Sequence, residues 1–458
     1  MVKSGEKSSI RRNIMTEIMD FQILQREPDG YARVSFGGTL EIEPVNGQRI
    51  LARVVREDDN LTIIHWTECG CNGQKWSVDL QIPEGGLYRL EACIQRGDPA
   101  WSEKIRCVYH VGVGDIYVTA GQSNMTGYGR DNAYDPPVLG VHALAADGKW
   151  CIAVHPLADA VGSIFGHPEN ATGTSPALSF ARRLKERLGV PIGILPAAVG
   201  GTALSQWNPE QTGDCWRDMC DRLKHVGNFK GFIWCQGCSD ANEKDAPTYF
   251  ERFCRMIELW RNVYGPKPML TVQLNRWMGT KTGEQDIWWG MIRDAQRRTM
   301  LEIPDVFTVP SLDLPVTDGI HNSSGANVLI GERLANAALQ YIYHKLGQSV
   351  TLVLGADAVD DTHFLVRVTP GHQVLAMDNR AMGMNAEDAD GLIECINAVP
   401  VQDGLLVNTE RPYTLPARFH YAWRSQPPVF AVRDLYDMPL LACYGVEIRQ
   451  LAEKECMR

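Results

Sequence analysis

The chain has 458 residues, 44% of them hydrophobic and 22% charged, with a formal net charge of −10. That length exceeds one ordinary core, so more than one domain is expected, and the acidic balance argues against a nucleic-acid partner, which demands a basic face. No run approaches the roughly 18 apolar residues of a membrane span, and the basic N-terminal segment lacks the apolar stretch of a secretory signal. A soluble, cytoplasmic protein with a neutral or polar small substrate and no membrane partner is expected.

Residues 1–22 read as a tail. From about Tyr31 to Val111, short alternating runs are broken by turn residues: Arg33–Phe36 before Gly37-Gly38, Leu61–Ile64, and Tyr88–Cys93 after Gly85-Gly86. This pattern predicts a β-sandwich over 23–112. From 113 to 347 the pattern becomes strand, loop, helix. Strands are expected at Ile116–Ala120, Ile192–Ala197, Phe232–Cys235, Met269–Leu274 and Val306–Val309. Helices are expected at Pro176–Leu188, with Ser175 as N-cap and Pro176 at the first helical position, at Pro247–Val263, and at Gly325–Leu346. Such alternation predicts an α/β fold with a doubly wound parallel sheet. Beyond Gly347 the runs Val350–Leu354, Phe364–Val368 and Gly404–Val407 predict a second β-region over 348–458.

Thirteen scattered cysteines suit reduced thiols better than a disulfide frame. Cys235 and Cys238 form a C-x-x-C, but no second pair completes four zinc ligands, so no metal is expected.

Four segments carry candidate chemistry. The strand Ile116–Ala120 runs into Gly121, and Ser123 follows in the turn, where a nucleophile is exposed at a strand's carboxyl end. After the next strand, Gly200 and Gly201 let backbone approach a ligand and offer an N–H to a developing oxyanion. Gln236 ends a third strand and offers a side-chain amide for the same purpose. Asp318 and His321, three residues apart after the last strand, can place a carboxylate on an imidazole that takes the serine proton. In a doubly wound sheet all four segments converge on one rim. Arg130, Trp207 and Trp277 lie beside these segments and are candidates for contact with the substrate.

With these residues in view, the sequence resembles the sialate O-acetylesterase-like carbohydrate esterases of the SGNH hydrolase superfamily. The resemblance rests on Gly121-Gln122-Ser123-Asn124-Met125, Val199-Gly200-Gly201-Thr202, Trp234-Cys235-Gln236-Gly237 and Asp318-Gly319-Ile320-His321. Arg293-Asp294-Ala295-Gln296 and Tyr421-Ala422-Trp423 add to it. It implies a flavodoxin-like catalytic sheet over 113–347 with accessory β-sandwich regions at both ends, no cofactor, and removal of O-acetyl groups from sugars. Carried over by position, Ser123 is the nucleophile, His321 the general base and acid, and Asp318 the orienting carboxylate. The Ser123 N–H, a glycine N–H from Gly200 or Gly201, and Gln236 form the oxyanion hole, while Gln122 and Asn124 join the substrate-binding set. The sequence departs from the family in carrying Cys238 where a glutamate is usual. A sialate substrate is expected first, acetylxylan or another acetylated carbohydrate second, and a catalytically dead carbohydrate-binding protein third.

Overall fold

The computed structural model describes residues 17–44, 48–157, 173–279, 283–402, 404–428 and 432–450. Of the expected tail, residues 1–16 lie outside the described residues. The chain divides into two compact units, Met1–Gly114 and Asp115–Arg458.

The first unit is built from β1 (Ile23–Gln25), β2 (Tyr31–Thr39), β3 (Ile50–Arg56), β4 (Thr62–Glu68), β5 (Gly70–Asn72), β6 (Lys75–Pro83) and β7 (Gly85–Ile94). Strands β2, β6 and β5 form one antiparallel sheet, and β4, β3 and β7 form part of another. Alternation turns Phe36, Trp76, Leu80 and Ile82 from the first sheet and Val54, Leu90 and Ala92 from the second into a common core. Strand β8 (Lys104–Gly121) begins in this unit and ends in the second.

The second unit opens on the last residues of β8. It continues through β9 (Val141–Leu144), β10 (Trp150–Ile152), β11 (Ile192–Pro196), β12 (Gly231–Cys235), β13 (Met269–Val272) and β14 (Val306–Val309). Its central sheet has the order β10-β9-β11-β8-β12-β13-β14. Pairing is parallel from β9 to β14, whereas β10 runs antiparallel to β9, so the sheet is mixed rather than wholly parallel. The cause is local: Ala145 and Lys149 close a short hairpin, too short for the crossover that a parallel partner needs.

Helices α1 (Ser123–Thr126), α2 (Pro176–Leu188), α3 (Leu204–Trp207), α4 (Asp214–Leu223), α5 (Tyr249–Tyr264), α6 (Gly283–Glu302) and α7 (Ser324–Tyr341) join the strands. Ser175 caps α2 by accepting the Ala177 N–H at 3.2 Å, and Gly189 ends the helix in the left-handed region. Gly331 of α7 lets α2 approach closely, since a Cβ there would lie 2.0 Å from Ser179 Oγ. Strand alternation sends Ile233, Leu270 and Val272 towards α2 and α7. Phe232 and Trp234 point the other way and pack with Trp260 of α5.

The C-terminal region contains β15 (Val353–Ala358), β16 (His363–Val368), β17 (Val374–Ala376), β18 (Met384–Asp388), β19 (Gly391–Val401), β20 (Gly404–Thr409), β21 (Ala417–Tyr421), β22 (Val432–Asp434) and β23 (Cys443–Gln450). The order β15-β16-β20-β19-β18-β21-β23 closes on itself because β23 pairs in parallel with β15, and β17 pairs with β22 apart from it. The region is therefore a closed barrel, not the expected sandwich. Closure pairs what would otherwise be two bare sheet edges.

Arg293 of α6 ties this barrel to the sheet. It donates to the carbonyls of Leu274 and Asn275 on one side and of Ala422, Trp423 and Arg424 on the other.

Candidate active site

Ser123, Gly200, Gln236 and the loop carrying Asp318 and His321 meet at the carboxyl ends of the parallel strands. The chain lays β11 on one side of β8 and β12 on the other, so the strand order reverses beside β8. In open α/β sheets that reversal leaves a crevice for ligands. Gly121 makes the turn possible. Its φ is +119°, and a Cβ there would lie 2.2 Å from the Cys235 carbonyl oxygen. The next residues then rise directly off the sheet, with Ser123 first in the short helix α1.

His321 Nε2 lies 3.0 Å from Ser123 Oγ, and His321 Nδ1 lies 2.7 Å from Asp318 Oδ2. The other carboxylate oxygen, Oδ1, accepts the backbone N–H of Ile320 at 2.8 Å and of His321 at 2.7 Å. Burial opposes the charge on Asp318, but the hydrogen bonds from His321 and Ile320 outweigh it and hold the carboxyl near a pKa of about 2. A hydroxyl, an imidazole and an ionised carboxylate in this sequence can pass a proton from the hydroxyl while the imidazolium is stabilised.

A polar network fixes the loop beneath His321. Asn124 Oδ1 accepts the Asn322 N–H at 2.9 Å, and Asn124 Nδ2 donates to Ile320 O at 3.4 Å. Asn275 Nδ2 donates to Ile320 O at 2.7 Å and to Asn322 Oδ1 at 2.8 Å. Tyr128 stacks on the imidazole, with ring centroids 4.7 Å apart and planes 27° apart.

Several expected substrate and oxyanion residues do other work. Gln236 is buried; its Nε2 donates to Thr202 O at 3.2 Å and to Asp240 Oδ2 at 2.6 Å, and its Oε1 accepts from Tyr249 Oη at 2.9 Å. Both amide hydrogens are thus spent inside the protein, and Gln236 holds the glycine loop rather than facing an oxyanion. Trp207 is fully buried, donating to Thr202 Oγ1 at 3.0 Å, and belongs to an aromatic cluster with Trp234 and Trp260. Gln122 is buried and accepts the Gly237 N–H at 2.9 Å, and buried Asn124 is the loop tether. The structure thus engages Gln122, Asn124 and Trp207 of the expected substrate-binding set, and Gln236 of the expected oxyanion hole, in contacts inside the protein.

Trp277 and Arg130 remain candidates. Trp277 is half-buried, and its neighbour Met278 donates to Gly319 O in the Asp318–His321 loop at 2.6 Å. Arg130 is exposed. Among the described residues, the backbone N–H groups of Ser123, Gly200 and Gly201 have no acceptor within the protein.

Substitution of Gln236 by methionine is expected to leave Asp240 and Tyr249 short of partners and to cost about 1–3 kcal/mol of stability. Chemical denaturation measures this directly. A turnover defect at full stability would return Gln236 to the oxyanion.

Cys235 and Cys238 are free thiols, and burial pushes the Cys235 thiol up to about 12 and the Cys238 thiol higher still, against the thiolate that a reactive pair needs. Among the described residues, no three His, Cys, Asp or Glu side chains gather as a metal-binding set. No helix among them is long and apolar enough to cross a membrane.

Fold and relay together define an α/β protein equipped for ester chemistry. Residues 113–340 match the family described as carbohydrate esterase, sialic acid-specific acetylesterase, and through them the chain belongs to that family. A probable carbohydrate esterase of Arabidopsis thaliana is 28% identical over 248 residues, 49% of this chain and 90% of that protein. The sialate O-acetylesterase of Homo sapiens is 23% identical over 380 residues, 70% of this chain and 69% of that protein. The crystal structure of a carbohydrate acetylesterase from Xanthomonas citri shares the fold, with a TM-score of 0.67 at 22% identity, covering 93% of this chain and 97% of that one. The protein is a carbohydrate acetylesterase of this family.

Proposed function

We propose that the protein is a serine esterase that removes O-acetyl groups from sialic acid, with Ser123, His321 and Asp318 as its catalytic triad. The hydrogen-bonded line from Ser123 Oγ through the imidazole to the Asp318 carboxylate carries the reading. The family description and the human relative support the sugar. The fold reading that goes with it is flavodoxin-like: counting the strands β8, β11, β12, β13 and β14 from one to five, their spatial order is 2-1-3-4-5.

In the cycle, His321 Nε2 takes the Ser123 proton as Oγ attacks the acetyl carbonyl. The carbonyl oxygen gains negative charge and is held by the N–H of Ser123 and of Gly200 or Gly201. The imidazolium, steadied by Asp318, returns the proton to the sugar oxygen as the ester bond breaks, leaving acetyl-Ser123. Water then gives its proton to His321 and attacks the acetyl group, releasing acetate and restoring the hydroxyl.

Acetate release from O-acetylated sialic acid, acetylated xylan and p-nitrophenyl acetate tests this. Preference for the sialic acid ester supports the assignment. Preference for acetylated xylan would keep the esterase and reject the sugar, and inactivity on all three would reject the mechanism.

A further inference from the structure

Tyr128 links the imidazole of His321 to Arg130, a candidate for substrate contact to which no chemical group of the substrate has yet been matched. The Tyr128 ring lies on His321, and the Arg130 guanidinium lies 5.2 Å from the centre of the same Tyr128 ring. Since the two separations, 4.7 Å and 5.2 Å, share that ring, the guanidinium is within about 10 Å of the imidazole. The tyrosine also reaches the glycine loop, as a Cβ on Gly200 would stand 2.9 Å from its hydroxyl oxygen.

The backbone on both sides of Arg130 is anchored. Gly129 pairs with Thr174, whose N–H donates to Gly129 O at 2.8 Å, and Asp131 Oδ1 accepts the Ser324 N–H at 2.6 Å. Asp131, the nearest carboxylate in sequence, is thereby turned towards the start of α7. Arg130 is exposed and has no carboxylate partner among the described residues, unlike Arg333 and Arg411, which are paired with Asp313 and Asp388.

We propose that Arg130 is the specificity-determining residue that recognises the carboxylate of an acidic sugar whose acetyl ester lies on Ser123. A guanidinium fork matches a carboxylate through two parallel N–H···O bonds, and the cation–π contact with Tyr128 helps to hold it in place. The protein's net charge of −10 works against an anionic substrate, so a guanidinium within about 10 Å of the imidazole, with no carboxylate partner among the described residues, restores local attraction. A neutral acetylated sugar offers the guanidinium single hydroxyl acceptors but no charge and no two-oxygen fork to match. The inference rests on Ser123 being the nucleophile.

The test compares an O-acetylated sialic acid with its carboxyl methyl ester, which keeps the acetyl group and loses the charge. The native enzyme is expected to favour the free acid by tenfold or more in kcat/KM. In Arg130→Gln that preference is expected to fall to near one, chiefly through KM, because the carboxylate is remote from the reacting carbon. Arg130→Lys, which keeps charge without the fork, is expected to fall between. No preference in the native enzyme, or a preference that Arg130→Gln leaves intact, overturns the inference while esterase activity on p-nitrophenyl acetate leaves the triad standing. Inactivity on p-nitrophenyl acetate as well removes both.

Discussion

Ser123→Ala is expected to lower acetate release by about ten-thousandfold or more while leaving the folded state almost unchanged. The side chain lost is small, and the one hydrogen bond recorded for its hydroxyl is to His321 Nε2, at 3.0 Å. The Asp318–His321 contact and the Asn124–Asn275 tethers do not involve it. Whatever activity survives comes from substrate binding and from the backbone N–H groups, which the substitution does not touch. The proposed triad would act as a unit, so Ser123→Ala combined with His321→Ala is expected to lose little more than either alone. Trapping adds a second readout: with a poorly hydrolysed acyl donor, the native protein should gain the mass of one acyl group on the peptide bearing Ser123. An acyl adduct elsewhere, or turnover that persists in Ser123→Ala, would move the nucleophile to another residue.

The sequence made the local parts of this fold legible wherever one element carried the signal. Ser175-Pro176 and Gly189 bracket a helix found at Pro176–Leu188, and Val306–Val309 is a strand as expected. The segments bearing Ser123, Gly200 and His321 were also readable, because strand ends and glycines mark them. What was not readable depends on partners distant in sequence. The closing pair of the C-terminal barrel joins Ala356–Ala358 to Ile448–Gln450, and no local pattern announces it. Gln236 carries the chemistry of an oxyanion donor, but Asp240 and the Thr202 carbonyl claim its amide hydrogens. Trp207 sits beside the glycine loop in sequence and beneath it in space. Tyr128 gave no signal at all, since an aromatic residue after a turn becomes notable only when an imidazole lies on its face.

Asp318→Asn is expected to cost more than Asp318→Ala, and the reason lies in which oxygen does what. Oδ1 accepts two backbone N–H groups, so an asparagine is compelled to keep its carbonyl oxygen there and to turn its NH₂ towards His321 Nδ1. That makes Nδ1 an acceptor and leaves the ring proton on Nε2, the tautomer that cannot take the serine proton. A loss of about ten-thousandfold in kcat follows. Alanine imposes no tautomer. The carboxylate is 51% exposed, so water can reach Nδ1–H in its place, and the loss is expected to be at least tenfold smaller. Acid has a related effect. Folding holds this carboxyl near a pKa of about 2, below its ordinary value, so its stabilising contribution is complete above about pH 4 and lost as pH falls through about 2. An activity loss centred well above pH 4 therefore belongs to another group, and it should keep its midpoint in Asp318→Ala if that group titrates independently of Asp318. Equal losses in the two variants, or less than a tenfold loss in Asp318→Asn, would show that the carboxylate does not set the imidazole's tautomer.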